Sequence, residues 1–99
     1  MTIRKPVGRL EWERALRDTP GISLPLHGVL LTMATYAADI ETGTDIRPSL
    51  SAMAGRLEVH RSTLTRHVAE GVRLGWLERT EDNGWHGKPS VYRLTIPRG

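Results

Sequence analysis

The stretch "RSTLTRHVAEGVRLG", residues 61–75, holds seven side chains that donate hydrogen bonds or carry positive charge: Arg61, Ser62, Thr63, Thr65, Arg66, His67 and Arg73. A guanidinium is a planar fork of N–H donors that stays charged at every working pH, and a hydroxyl both donates and accepts. Such a set suits an anion or a polar edge and does not suit bond making. The chain offers no catalytic counterpart. Its four histidines, His27, His60, His67 and His86, fall in different elements, and none has the i, i+4 spacing of a helical zinc pair. There is no glycine-rich phosphate loop, and no spacing suggests a nucleophile with its base. No cysteine is present, which removes disulfides and thiolate metal sites. The expectation is a non-enzyme without metal or cofactor.

A helix must present those donors. At about 3.6 residues per turn, Leu64, Val68, Gly71 and Gly75 share one side, which is the expected core face. Arg66, Arg73, Ala69 and Ser62 lie opposite, with Thr63 and Glu70 flanking them. Thr65 and His67 sit nearer the sides. Arg61 stands at the N-terminus, where free backbone N–H groups favour phosphate. Gly71 is unusual, because an interior glycine costs about 1 kcal/mol relative to alanine. A bulky neighbour is expected to fill its space, with Trp76 and Trp12 as candidates.

The remaining elements follow from caps and periodicity. Leu10 to Asp18 reads as a short helix with Trp12, Ala15 and Leu16 on one face, ended by "DTPG". Ser23 caps a second helix with Pro25 in its first turn. Leu26, Val29, Leu30, Met33 and Ala37 keep its period, and it is expected to end near Asp39. "ETGTD" is a loop, and Ile46 and Arg47 form at most a very short strand. Ser49 caps a third helix, with Leu50, Met53, Ala54 and Leu57 inward. "EVHR" is the turn into the donor helix, which Gly75 closes. Strand "WLERT", tip "EDNGWHGKP" and strand "SVYRLTI" form a hairpin. In its return strand Tyr92, Leu94 and Ile96 alternate with Val91, Arg93 and Thr95. Asn83-Gly84 is a turn signal. Trp85 either folds back on the core or meets a partner.

Length and charge set the frame. The chain has 99 residues, a single small domain with a modest core. Its longest apolar run, "GVLLTMATYAA", is too short to span a bilayer, and the basic N-terminus lacks the apolar core of a secretory signal. A soluble cytoplasmic protein without a membrane partner is expected. Fourteen basic residues, twelve of them arginine, face eleven acidic ones, for a net charge of +3. An arginine excess also arises from genome composition, so its distribution carries more than its sum. Residues 1–17 hold Arg4, Lys5, Arg9, Arg14 and Arg17 against Glu11 and Glu13. Residues 59–75 hold Arg61, Arg66 and Arg73 against Glu70, while Asp39, Glu41 and Asp45 gather in one loop. This polarity is that of a nucleic-acid binder.

"RPSLSAMAGRLEVHRSTLTRHVAEGVRLGWLER", followed by "SVYRLTI", resembles the winged helix-turn-helix superfamily. It is similar to small winged-helix domains of bacterial, phage and plasmid replication proteins and of MarR- or GntR-like regulators. The matching residues are Pro48, Ser49, Leu50, Ala54, Leu57, Ser62, Thr63, Leu64, Arg66, Val68, Leu74, Gly75, Trp76, Leu77, Tyr92 and Leu94. The likeness spans roughly residues 22–97. It departs at His60, where a better cap is usual, and at Gly71, where leucine is usual. The resemblance implies an α+β fold: a three-helix core and a β-hairpin wing, here with an extra short N-terminal helix. A basic arm over residues 1–9 would precede one domain over 10–97, with the helix-turn-helix at about 49–75 and the wing at about 76–96.

The resemblance also implies a function. Arg61, Ser62, Thr63, Thr65, Arg66 and Arg73 would enter the major groove of double-stranded DNA, N-terminal end first, with Arg66 forked on guanine. Ser49, His60, His67, Arg79, His86, Lys88 and Arg93 would meet the backbone or lie on the wing, and Arg4, Lys5 and Arg9 would follow it from the arm. The implied role is transcriptional regulation, or initiation or control of replication on a bacterial mobile element. One small module reads little sequence, so a homodimer through the N-terminal helix is expected. The alternative is a winged-helix adaptor between proteins in a replication or partition complex, with Trp12 and Trp85 on its surface. An adaptor does not need three arginines on the outer face of its third helix.

Overall fold

A computed structural model describes residues 7–81 and 90–97. The fold is α+β, with four helices followed by a two-stranded antiparallel hairpin. The helices are α1 (Arg9–Asp18), α2 (Leu24–Ala34), α3 (Leu50–Leu57) and α4 (Arg61–Leu74), and the strands are β1 (Leu77–Glu81) and β2 (Val91–Leu94). Among the described residues no helix is long and apolar enough to cross a membrane.

Two serines start two helices as expected. The Ser23 hydroxyl accepts from the Leu26 N–H and the Ser49 hydroxyl from the Ala52 N–H, both at 3.3 Å. Each such cap is worth about 1 kcal/mol. α2 ends at Ala34, short of the expected Asp39. Beyond it Thr35, Tyr36 and Ala37 bond back to Thr32, Met33 and Ala34, the tighter i→i−3 pattern. The Thr32 and Thr35 hydroxyls also take the carbonyls of Gly28 and Thr32, a local competition that weakens a helix end.

α2, α3 and α4 enclose one core with the hairpin. Leu26, Val29, Leu30 and Met33 of α2 meet Met53 and Ala54 of α3, Leu64 and Val68 of α4, and Trp76, Leu77, Tyr92 and Leu94 of the hairpin region. α1 belongs to the same core. Trp12 and Leu16 are fully buried. The Trp12 indole N–H donates to the Trp76 carbonyl at 2.9 Å, and the two indoles meet edge to face at 6.1 Å. The aromatic face expected to serve a dimer is therefore spent inside the chain, although Leu10 on the same helix stays 61% exposed.

β1 and β2 pair with Leu77 opposite Leu94, Glu78 opposite Arg93 and Arg79 opposite Tyr92. Ile46 bridges Tyr92 from the other edge through two backbone bonds of 2.9 Å. β2 is thus covered on both edges, and its expected alternation gives way. Val91 and Thr95 are buried along with Tyr92 and Leu94. Thr95 tolerates burial because its hydroxyl donates to the Gly75 carbonyl and its N–H to the Trp76 carbonyl. The acidic loop serves this edge. The Asp39 carboxylate accepts the Glu41 and Thr42 N–H groups, and the Gly43 carbonyl accepts from the Leu94 N–H at 2.8 Å. Gly43 has a φ of +61° and no room for a Cβ beside the Val7 carbonyl.

Candidate nucleic-acid interface

Three residues separate α3 from α4. The turn is made by Glu58, in the left-handed region at φ 56°, a conformation that non-glycine residues adopt at a cost of about 1 kcal/mol. The Val59 N–H then reaches back to the Ala54 carbonyl at 3.0 Å, locking the turn. His60 occupies the N-cap position of α4 with extended backbone and no side-chain cap bond. The first-turn N–H groups of α4 therefore lack the side-chain acceptor that Ser23 and Ser49 supply elsewhere. At the other end Gly75 adopts φ 93°, and the Trp76 N–H bonds to the Gly71 carbonyl, closing the helix in a Schellman turn.

The buried face of α4 is Leu64, Val68 and Gly71, as the period implies. The neighbour of Gly71 is a correction. A Cβ there would stand 2.7 Å from Leu30 Cδ2 and 3.4 Å from Leu77 Cδ1, so neither Trp12 nor Trp76 fills the space. The missing side chain lets α2 and α4 close on each other through Leu30.

The outer face holds Arg61, Ser62, Thr65, Arg66 and Arg73, all exposed, with Thr63, His67 and Glu70 half-buried at its margins. Arg61, Arg66 and Arg73 form no ion pair or hydrogen bond with side chains among the described residues. The Thr65 hydroxyl donates to the Arg61 carbonyl at 2.9 Å, so only its lone pairs remain available. Ser49 caps α3 by accepting the Ala52 N–H, which leaves its own hydroxyl hydrogen available.

Arginines elsewhere are mostly engaged. Arg9 is the first residue of α1 and pairs with Glu13 at 3.1 Å, so the expected arm does not reach it. Its N–H is also bonded to the Ile40 carbonyl. Arg17 pairs with Asp18 at 2.9 Å, and its hydrogen bond outweighs desolvation to hold the Asp18 carboxyl below its usual range. Arg47 lies 3.9 Å from Asp45. On the hairpin, Arg93 pairs with Glu78 at 3.0 Å, and Arg79 lies over the Tyr92 ring while donating to its hydroxyl. These two arginines brace the hairpin, whereas Arg61, Arg66 and Arg73 have no such partner among the described residues. Arg56, in the last turn of α3, was no candidate from sequence, yet it is exposed and unpaired among the described residues. Its position two residues before Glu58, where the chain turns between α3 and α4, was the available signal.

Arg4, Lys5, Asn83, Gly84, Trp85, His86 and Lys88 lie outside the described residues. Among the described residues no three His, Cys, Asp or Glu side chains gather as a metal site would require. Compared with known proteins, the chain matches no family model, no curated protein and no solved structure.

Proposed function

We propose that the chain is a winged helix-turn-helix protein that binds double-stranded DNA through the outer face of α4. The observation that carries this reading is the contrast among its arginines. Among the described residues Arg61, Arg66 and Arg73 stand exposed and unpaired together on one helix, whereas Arg9, Arg17, Arg47, Arg79 and Arg93 have partners and Arg14 and Arg56 are single unpaired arginines on α1 and α3. Free guanidiniums on one face can exchange condensed counterions for phosphates and base edges.

In this reading α4 enters the major groove N-terminal end first. Arg66 forks onto guanine O6 and N7, and Ser62 and Thr63 reach a base edge or a phosphate. Thr65 acts as an acceptor, because its hydrogen is already given to Arg61. Arg61 and the uncapped first turn hold a phosphate together. His86 and Lys88 are proposed to touch the backbone from the wing, and Arg4 and Lys5 from the arm. The role follows the resemblance: transcriptional regulation or replication control on a bacterial mobile element. The adaptor reading is less favoured, because no large apolar residue is exposed on α4 before Leu74 at its end.

Titration of duplex DNA by fluorescence anisotropy over a salt series tests the proposal. Two phosphate contacts, by Arg61 and Arg73, give a slope of about −1.8 in log K against log salt, or about 12-fold weaker binding at 200 mM than at 50 mM. Weak binding that is flat with salt overturns the reading. Selection from a random duplex pool then gives the site.

A further inference from the structure

Only Gly75 and Trp76 lie between the end of α4 at Leu74 and the start of β1 at Leu77. Their backbone groups serve two different parts of the molecule. Both N–H groups turn back to α4, Gly75 to the Val72 carbonyl at 3.1 Å and Trp76 to the Gly71 carbonyl at 2.9 Å. Both carbonyls meet Thr95, the residue that follows β2. The Gly75 carbonyl accepts the Thr95 hydroxyl. The Trp76 carbonyl accepts the Thr95 N–H at 3.0 Å and the Trp12 indole N–H at 2.9 Å. Thr95 is 1% exposed, the only buried serine or threonine among the described residues.

Burial does not require that hydroxyl. Valine has nearly the same outline and fills an apolar site without a polar group to satisfy. The Thr95 N–H bond requires no particular side chain either, because it continues the hairpin pairing one residue beyond Leu77 and Leu94. The hydroxyl bond is the one that depends on the side chain, and it lands on Gly75. That residue stands at φ 93°, and a glycine backbone does not by its own sterics set the direction in which the chain leaves α4. A buried polar group with its partner in place restricts the surrounding structure to one arrangement.

We infer that Thr95 is a positioning residue: its hydroxyl on the Gly75 carbonyl fixes the angle at which the hairpin leaves α4. The use of that angle rests on the DNA reading above. α4 in the groove and the hairpin on the phosphate backbone are two linked contacts, and linked contacts reinforce each other only where one geometry serves both. Thr95 is buried and touches no DNA itself; it acts through Gly75. Trp12, from a helix outside the winged-helix likeness, braces the same junction at the Trp76 carbonyl.

Residual dipolar couplings from the amides of α4, β1 and β2, measured on the full isotope-labelled chain without DNA, are the test. Thr95→Val removes the hydroxyl and keeps the shape, whereas Thr95→Ser keeps the hydroxyl and removes the methyl. In the wild type and in Thr95→Ser, helix and hairpin are expected to share one alignment tensor and one relative orientation. In Thr95→Val the couplings within each element are expected to stay consistent, while the hairpin turns or loses order relative to α4. A folded Thr95→Val whose hairpin keeps the wild-type orientation and order overturns the inference. So does a Thr95→Ser that loses them, because the methyl would then be the determinant; should Thr95→Val not fold, this variant decides alone. Titration of duplex DNA separates the two readings. Thr95→Val is expected to bind about 10-fold more weakly than the wild type and Thr95→Ser within about twofold, because a loose hairpin engages only part of the time. Equal binding by all three overturns the role of Thr95 at the interface. A wild type that binds no duplex sinks the DNA reading, while the couplings still decide whether Thr95 sets the angle.

Discussion

α2 and α4 pack against each other, yet they are opposite in character. α4 is amphipathic: Leu64, Val68 and Gly71 are buried, and Arg61, Arg66 and Arg73 are exposed and unpaired among the described residues. α2 has no formal charge on any side and is apolar both toward the core and away from it. A helix that is apolar all round is ordinarily enclosed, and in a domain this small only one side of α2 can be. The difference assigns two kinds of surface to two helices that share one core and come closest where Leu30 meets Gly71. One surface carries three arginines and the other carries no formal charge.

The largest expected effect separates charge from place. Arg66→Ala and Leu24→Glu each lower the net charge by one. On a duplex carrying one preferred half-site, Arg66→Ala is expected to weaken binding about 10- to 100-fold, corresponding to the roughly 1–3 kcal/mol of a bidentate base contact. Leu24→Glu is expected to leave that affinity within about twofold, because α2 faces away from the groove and a single exposed charge is screened. Anisotropy titrations at one salt concentration compare them directly. Equal losses would break the contrast and reduce the interface to net charge.

The contact that joins the two helices comes next. Gly71→Ala gains about 1 kcal/mol of helix propensity, but its methyl would stand 2.7 Å from Leu30 Cδ2, and Leu30 is fully buried. Overpacking of this kind costs about 1–3 kcal/mol, so the expected net is a loss of about 1 kcal/mol in urea unfolding. In a Leu30→Ala background, itself lower by about 2–5 kcal/mol, the same change should turn stabilising. A double-mutant cycle reads that reversal.

Gly71 also shows where the sequence stops being readable. Its place on the buried face follows from the period of α4, as do the serine caps of α2 and α3 and the glycine end of α4. Which side chain presses on it does not follow, because Leu30 comes from a helix some forty residues away, and only the packing of α2 on α4 brings it there. The same limit explains Trp12. Its apolar face was legible, but its partner, the Trp76 carbonyl, is fixed by tertiary docking. Arg79 and Arg93 read as phosphate contacts until strand register sets them against Tyr92 and Glu78. The exposed outer side of α2 was hidden for a related reason, since a continuous apolar run looks like core on every side. For the candidate site, exposure of the α4 donors followed from periodicity, but the absence of acidic partners among the described residues required the fold.

The smallest expected effect is the same substitution moved to the other helix. Gly28→Ala places its methyl in open space on the outer side of α2. Relative to glycine it restricts the unfolded backbone and restores helix propensity, so the isolated chain is expected to gain about 0.5–1 kcal/mol. The sign is opposite to that at Gly71, and the chemistry is identical, so only the surroundings differ. A loss on Gly28→Ala would mean that something of the chain's own already covers that side.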